Sequence, residues 1–101
     1  MTAVTKVIRY RTHPARADEN ADLVRAVFDE LAATAPASFS YVTFRLDDGA
    51  TFVHVTTMEG DNPLASSAAF SRFQAEIATR CEEGPIVSDA TVVGAYGLPF
   101  G

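Results

Sequence analysis

Hydrophobic and polar positions alternate most regularly between Phe39 and Met58, where two runs rich in Val, Thr, Phe and Tyr flank Asp48-Gly49. This reads as one β-hairpin, with Asp-Gly supplying the positive φ angles of a two-residue turn. That turn sets Leu46 opposite Thr51, Phe44 opposite Val53 and Val42 opposite Val55. Side chains alternate with period two, so the faces sort themselves. One carries Val42, Phe44, Leu46, Val53 and Val55. The other carries Phe39, Tyr41, Thr43, Arg45, Phe52, His54, Thr56 and Met58. The aliphatic face is expected to receive helices. The second face is too aromatic for water and too polar for an ordinary core, so it is expected to line a pocket or an interface that encloses one.

The flanking pattern predicts a strand over Ala3 to Thr12, with faces Val4, Lys6, Ile8, Tyr10 and Thr5, Val7, Arg9, Arg11, neither clearly apolar. Pro14 ends it, because proline cannot donate to a ladder. A helix follows from Ala15 to Thr34, with Asp18, Glu19 and Asp22 early, where the helix dipole favours negative charge. Its buried stripe is Asn20, Leu23, Val24, Val27 and Leu31, widened by Phe28. Pro36 pushes Ala35 out of the helical region. After a loop at Glu59 to Asn62, a second helical region runs from Pro63 to about Cys81. Leu64 to Ser67 can stand apart as a short turn, and Ala69, Phe70, Phe73, Ile77 and Cys81 share one face. Glu82-Glu83-Gly84-Pro85 stops it. Ile86 to Tyr96 is the last strand, and Gly97 to Gly101 an apolar tail.

The order is βαββαβ. Right-handed crossovers then give a ferredoxin-like α+β fold, a four-stranded antiparallel sheet with two helices on one face. A monomer would expose Phe39, Tyr41, Phe52 and Met58 together, and such a patch calls for a partner. The expectation is a two-fold homodimer with sheets facing and a cavity between or within them.

With 101 residues the chain reads as one domain over 1–101. Net charge is −5 and the eight Lys and Arg residues are scattered, which argues against nucleic acid or an anionic membrane as partner. A lone cysteine, Cys81, allows no internal disulfide and suits a reducing compartment. With no long apolar run and no signal-peptide pattern, the expected location is the cytoplasm.

His54 is the candidate for catalysis. It stands mid-strand on the polar-aromatic face with Thr43 opposite, and an imidazole of near-neutral pKa could accept a phenolic proton. Against this stands a buried histidine satisfied by a Thr or Tyr hydroxyl. Tyr41 and Arg45 could orient a phenol or stabilise an oxyanion, although Arg45 also suits a rim charge near the turn. Phe39, Thr43, Phe52, Thr56 and Met58 complete the expected substrate wall. Arg9 and Arg11 could hold an acidic ligand or simply edge the sheet. His13 reads as a surface residue, Asp47-Asp48 as turn chemistry and Cys81 as structural. No Cys, His or carboxylate spacing matches a zinc site, and no nucleotide or serine-hydrolase motif occurs.

The chain resembles the dimeric α+β barrel proteins, and within them the antibiotic biosynthesis monooxygenase family. The likeness lies in the βαββαβ order, Pro14 after the first strand, and the paired stretches SYVTFRLDDG and TFVHVTTMEG. That family includes oxygenases of polycyclic phenols and quinols that need no cofactor, and haem degraders. Members often carry Trp at the end of the third strand, where this chain has Thr57 and Met58. Many carry His in the second helical region, where it has Ser66, Ser67 and Ala68. The Asn, Trp and His set of the haem degraders is missing, so haem is not implied and no cofactor is expected. The resemblance implies a homodimer binding an aromatic small molecule, with cofactor-free oxygenation as the leading activity. A binding or stress-related module without catalysis, and a proton-transfer isomerase or cyclase with His54 as base, are the alternatives.

Overall fold

The computed structural model describes residues 3–98. Strand β1 is Val4–Thr12. A 3-10 turn at Pro14–Arg16 leads into helix α1, Ala17–Thr34. Strands β2, Phe39–Arg45, and β3, Thr51–Met58, form the hairpin. A second 3-10 turn, Pro63–Ser66, precedes helix α2, Ala68–Gln74, and a single helical turn α3, Ile77–Arg80. Strand β4 is Cys81–Ala90. The sheet order is β2-β3-β1-β4 with every pair antiparallel, and the helices cover one face, giving the expected ferredoxin-like α+β fold. The last strand stops earlier than predicted, and residues 91–98 run on as exposed chain. The tail's residues 99–101 lie outside the described part.

The hairpin register is the predicted one, with Val42 opposite Val55 and Phe44 opposite Val53. The turn differs. A two-residue turn of the expected kind needs positive φ at both Asp48 and Gly49, and only Gly49 has it, at 77°. Gly49 N–H instead donates to the Leu46 carbonyl (2.9 Å), and Asp48 Oδ1 accepts from the amides of Ala50 (2.9 Å) and Thr51 (2.8 Å). The Asp48 side chain thus replaces backbone pairing inside a longer loop without shifting the register. These bonds, led by that from the Thr51 hydroxyl, hold its carboxyl down at about 2.

The second helical region is broken where spacing alone predicts continuity. α2 stops at Gln74, and Glu76 is left-handed with φ 61°. The carbonyls freed there do not go unsatisfied. Arg80 turns back, donating from Nη2 to the Phe73 carbonyl (2.5 Å) and from Nη1 to the Ala75 carbonyl (3.1 Å).

The sheet's two faces sort as the alternation requires, but the helices cover the opposite one. Phe52, His54 and Thr56 are buried with Tyr10 and Thr12 of β1, against Ala17, Asn20, Val24 and Val27 of α1 and Phe73 of α2. Val42, Val53 and Val55 are only half-buried, and Phe44 and Leu46 are exposed. The polar-aromatic face can be the dry one because its polar atoms find each other across strands, so burying them costs little, while its rings contribute more apolar area than valines do. Register settles the first strand too. Ile8 pairs with His54, which puts Lys6, Ile8 and Tyr10 under the helices and Val7, Arg9 and Arg11 on the open face.

Candidate functional site

β3 is an inner strand, and His54 sits near its middle. Directly opposite are Thr43 on β2 and Ile8 on β1. Tyr41 and Tyr10 are the diagonal neighbours, close enough for long side chains to reach the ring. Both do so. Tyr10 Oη lies 2.8 Å from Nε2, and Tyr41 Oη lies 2.5 Å from Nδ1, with Thr43 Oγ1 3.0 Å from the same nitrogen. Helix α1 adds Asn20, whose Nδ2 donates to Tyr10 Oη at 2.8 Å. Arg80 at the end of α3 adds the last member, its Nε donating to Asn20 Oδ1 at 3.2 Å. Asn20 and Arg80 are both buried, at 0% and 2% exposure.

The proton positions follow from this order. Arg80 can only donate, so Asn20 presents its oxygen to Arg80 and its amide N–H to Tyr10. Burial raises the Tyr10 phenol well above its usual range, which keeps it protonated, and its O–H then has one acceptor, His54 Nε2. Burial also pushes His54 down to about 4, so the ring is neutral at physiological pH and carries its proton on Nδ1. Tyr41 is pushed up to about 12 by burial and is neutral as well. The near-neutral base expected of His54 is therefore corrected. Its imidazole is poised uncharged, with both nitrogens engaged.

Above this chain lies a cavity of about 400 Å³ between sheet and helices. Tyr10, Tyr41, His54, Thr56 and Met58 form its sheet side, with Lys6 and Ile8. Leu64, Phe70, Phe73 and Ile77 form its helix side. Pro85 and Val87 on the edge strand are exposed and mark the mouth, where Lys6 Nζ binds Asp89 at 2.7 Å. The walls are mostly apolar, with Thr56, Asn62, Gln74 and Lys6 as polar members besides the hydrogen-bonded chain, a composition typical of small-molecule sites.

Of the residues singled out in sequence, Tyr41, His54, Thr56 and Met58 meet at this cavity, and Thr43 touches it through His54. Phe52 lies deeper, stacked on Tyr10 with centroids 5.6 Å apart. Arg45 stands at the hairpin end, bound to the Gly49 carbonyl (2.8 Å) and to Asp18 (3.1 Å). Phe39 packs toward Phe28 and Leu31 instead. Arg9 is exposed on the open face, and Arg11 pairs with Glu82 at 3.3 Å. Cys81 is buried, which pushes its thiol up. Among the described residues no group of His, Cys, Asp and Glu could hold a metal ion. Sequence reading missed Tyr10, Asn20 and Arg80 as members. Asn20 in the buried stripe of α1 was the one available signal, since a buried amide needs partners.

No protein-family model and no curated protein matches the chain. Solved structures do. A protein described as an antibiotic biosynthesis monooxygenase superposes with TM-score 0.68 at 16% identity, over 90% of this chain and 99% of its own. A candidate antibiotic biosynthesis monooxygenase from Caulobacter crescentus CB15 gives 0.72 at 14%, over 91% of each chain. A dimeric ferredoxin-like protein of unknown function from Jannaschia sp. CCS1 gives 0.66 at 14%, over 90% and 100%. At these identities the likeness is one of fold. This chain has the ferredoxin-like fold of antibiotic biosynthesis monooxygenase-like proteins.

Proposed function

We propose that the cavity binds an aromatic small molecule and that the protein oxidises polycyclic phenols or quinols with molecular oxygen and no cofactor. The observation that carries this is the cavity itself, lined mostly by apolar and aromatic side chains with the Tyr41–His54 hydrogen-bonded cluster on its sheet side. A phenol enters with its ring against Phe70, Phe73 and Met58 and its oxygen toward Tyr41 and His54. Oxidation needs no external reductant. The phenol becomes a quinone, taking one oxygen atom of O2, while the other leaves as water with the hydrogens of the O–H and the replaced C–H. His54 holds Tyr41 in place for this step. The fold shared with antibiotic biosynthesis monooxygenases supports the reading.

A second copy of the chain completes the proposal. The open sheet face presents Val7, Val42, Phe44, Val53, Val55 and Ile86, and Ile86 is 67% exposed. A sheet face this apolar, interrupted on β1 by Arg9 and Arg11, favours a two-fold partner. The dimer thus forms through the face opposite to the one the sequence suggested, and each cavity lies within one subunit.

Oxygen consumption over polycyclic phenols and hydroquinones, without added cofactor, is the test, with His54→Ala beside wild type. Uptake by wild type that the variant loses supports the reading. Uptake kept by the variant removes His54 from the mechanism. No uptake, together with a retained ligand in native mass spectrometry, supports a binding module without catalysis. That second reading has its own observation, a neutral His54 with no free nitrogen to act as base.

A further inference from the structure

We propose that the chain Arg80–Asn20–Tyr10–His54–Tyr41 is a one-way line of hydrogen-bond donors ending at the cavity, and that it selects a ligand bound as an oxyanion, the phenolate or enolate form of an acidic aromatic. This rests on the pocket reading above and specifies which protonation state of the ligand the pocket takes.

The direction is set at Arg80. Its guanidinium is buried, and among the described residues no carboxylate lies within ion-pair distance of it. Its partners are two backbone carbonyls and the Asn20 oxygen. Each subsequent link donates onward, Asn20 to Tyr10 and Tyr10 to His54 Nε2, leaving the His54 proton on Nδ1. Aligned donors polarise one another, so a positive charge at one end strengthens the donor at the other.

The far end carries a surplus. Nδ1–H, the Thr43 hydroxyl and the Tyr41 hydroxyl meet within 3.0 Å of the ring nitrogen. With Nδ1 protonated, that triangle holds three hydrogens, but the nitrogen cannot accept, so only two lie within it, the N–H toward an oxygen and one O–H between the two oxygens. However the bonds are drawn, one hydroxyl hydrogen points out of the triangle. Of the two hydroxyls, only that of Tyr41 belongs to a residue lining the cavity. A ligand oxygen there accepts that hydrogen bond, which becomes charge-assisted and roughly twice as strong when the oxygen is ionised, and so favours the anion. The other charged groups facing this region agree in sign or are compensated. Lys6 of β1 stands at the mouth in its pair with Asp89 of β4, Glu19 of α1 is bound to Arg16, and Cys81 of β4 is a buried thiol. No carboxylate lines the cavity. Tyr41 is accordingly a binding residue, and Tyr10, His54, Asn20 and Arg80 position it.

The test uses 4-nitrophenol, whose phenolate absorbs in the visible, titrated spectrophotometrically with pH, bound and free. In wild type the bound probe ionises at lower pH than the free probe, the phenolate binding about tenfold more tightly than the phenol. Tyr41→Phe abolishes the displacement. Tyr10→Phe keeps the ring stacked on Phe52 and removes the hydroxyl link, so the displacement of the bound probe's ionisation shrinks while circular dichroism is kept. A purely structural Tyr10 would leave the bound probe's ionisation where it was. Binding of phenol and phenolate with equal affinity, or a displacement unchanged in both variants, overturns the inference and leaves the pocket reading standing. Failure of the probe to bind wild type overturns both.

Discussion

Acid should destabilise this protein earlier than its carboxylates require, through His54. In the unfolded chain the ring takes its proton near 6.5, and in the native protein only near 4, because burial disfavours the charged form. Above pH 6.5 neither state is protonated and the residue contributes no pH dependence. Between 6.5 and 4 the unfolded chain binds a proton that the native protein does not, so stability falls as pH falls. Below 4 both states bind it and the loss levels off. The displacement corresponds to about 3 kcal/mol across the window, at up to about 1.4 kcal/mol per pH unit. A typical domain has about 5–15 kcal/mol in total, so the effect is large enough to measure. The carboxylates act lower. Asp48, held down at about 2, loses its contribution only as pH falls from its unfolded value of 3.8, and Glu19 behaves in the same direction. Urea midpoints at about pH 7, 6 and 5, at one fixed protein concentration, read the window before those groups enter. The same series on His54→Gln, which cannot titrate, should lie lower but nearly flat. NMR of the ring should place the proton on Nδ1 and show no titration until near pH 4. A wild-type midpoint constant from pH 7 to 5, or an equal slope in the variant, would refute the reasoning.

Three further outcomes are expected. Gly49→Ala should cost about 1 kcal/mol in urea unfolding, all of it from backbone strain at φ 77°, since nothing lies within 4 Å of the added Cβ. Ser67→Ala removes the oxygen that accepts from Phe70 N–H (3.0 Å) and bonds Glu30, so thermal unfolding should report a loss of about 1 kcal/mol. Val55→Glu, on the open face, should give a monomer by light scattering at micromolar concentration with its circular dichroism kept, and an unchanged mass would argue against that face as the dimer contact.

What the sequence determined by itself is local and periodic. Period-two alternation placed Tyr41, Thr43, His54, Thr56 and Met58 on one side, and the Asp-Gly signal set a register that holds even though the turn is built differently. The order of elements followed from the same patterning, and with it the ferredoxin-like sheet. Tertiary structure decided which side is dry. That depends on whether each polar group finds a partner, and the partners are remote in the chain. Asn20 is 10 residues from Tyr10, His54 is 44 from Tyr10, and Arg80 is 60 from Asn20. A histidine with Phe52 and Thr56 beside it on its face reads equally as a base or as a buried group until two tyrosines from neighbouring strands are seen to close on its ring. Helix α2 likewise looks continuous to Cys81 until the Arg80 guanidinium takes the Phe73 and Ala75 carbonyls. Alternation is a property of neighbouring residues. The burial of a polar face is a property of distant side chains meeting, and only the folded sheet brings them together.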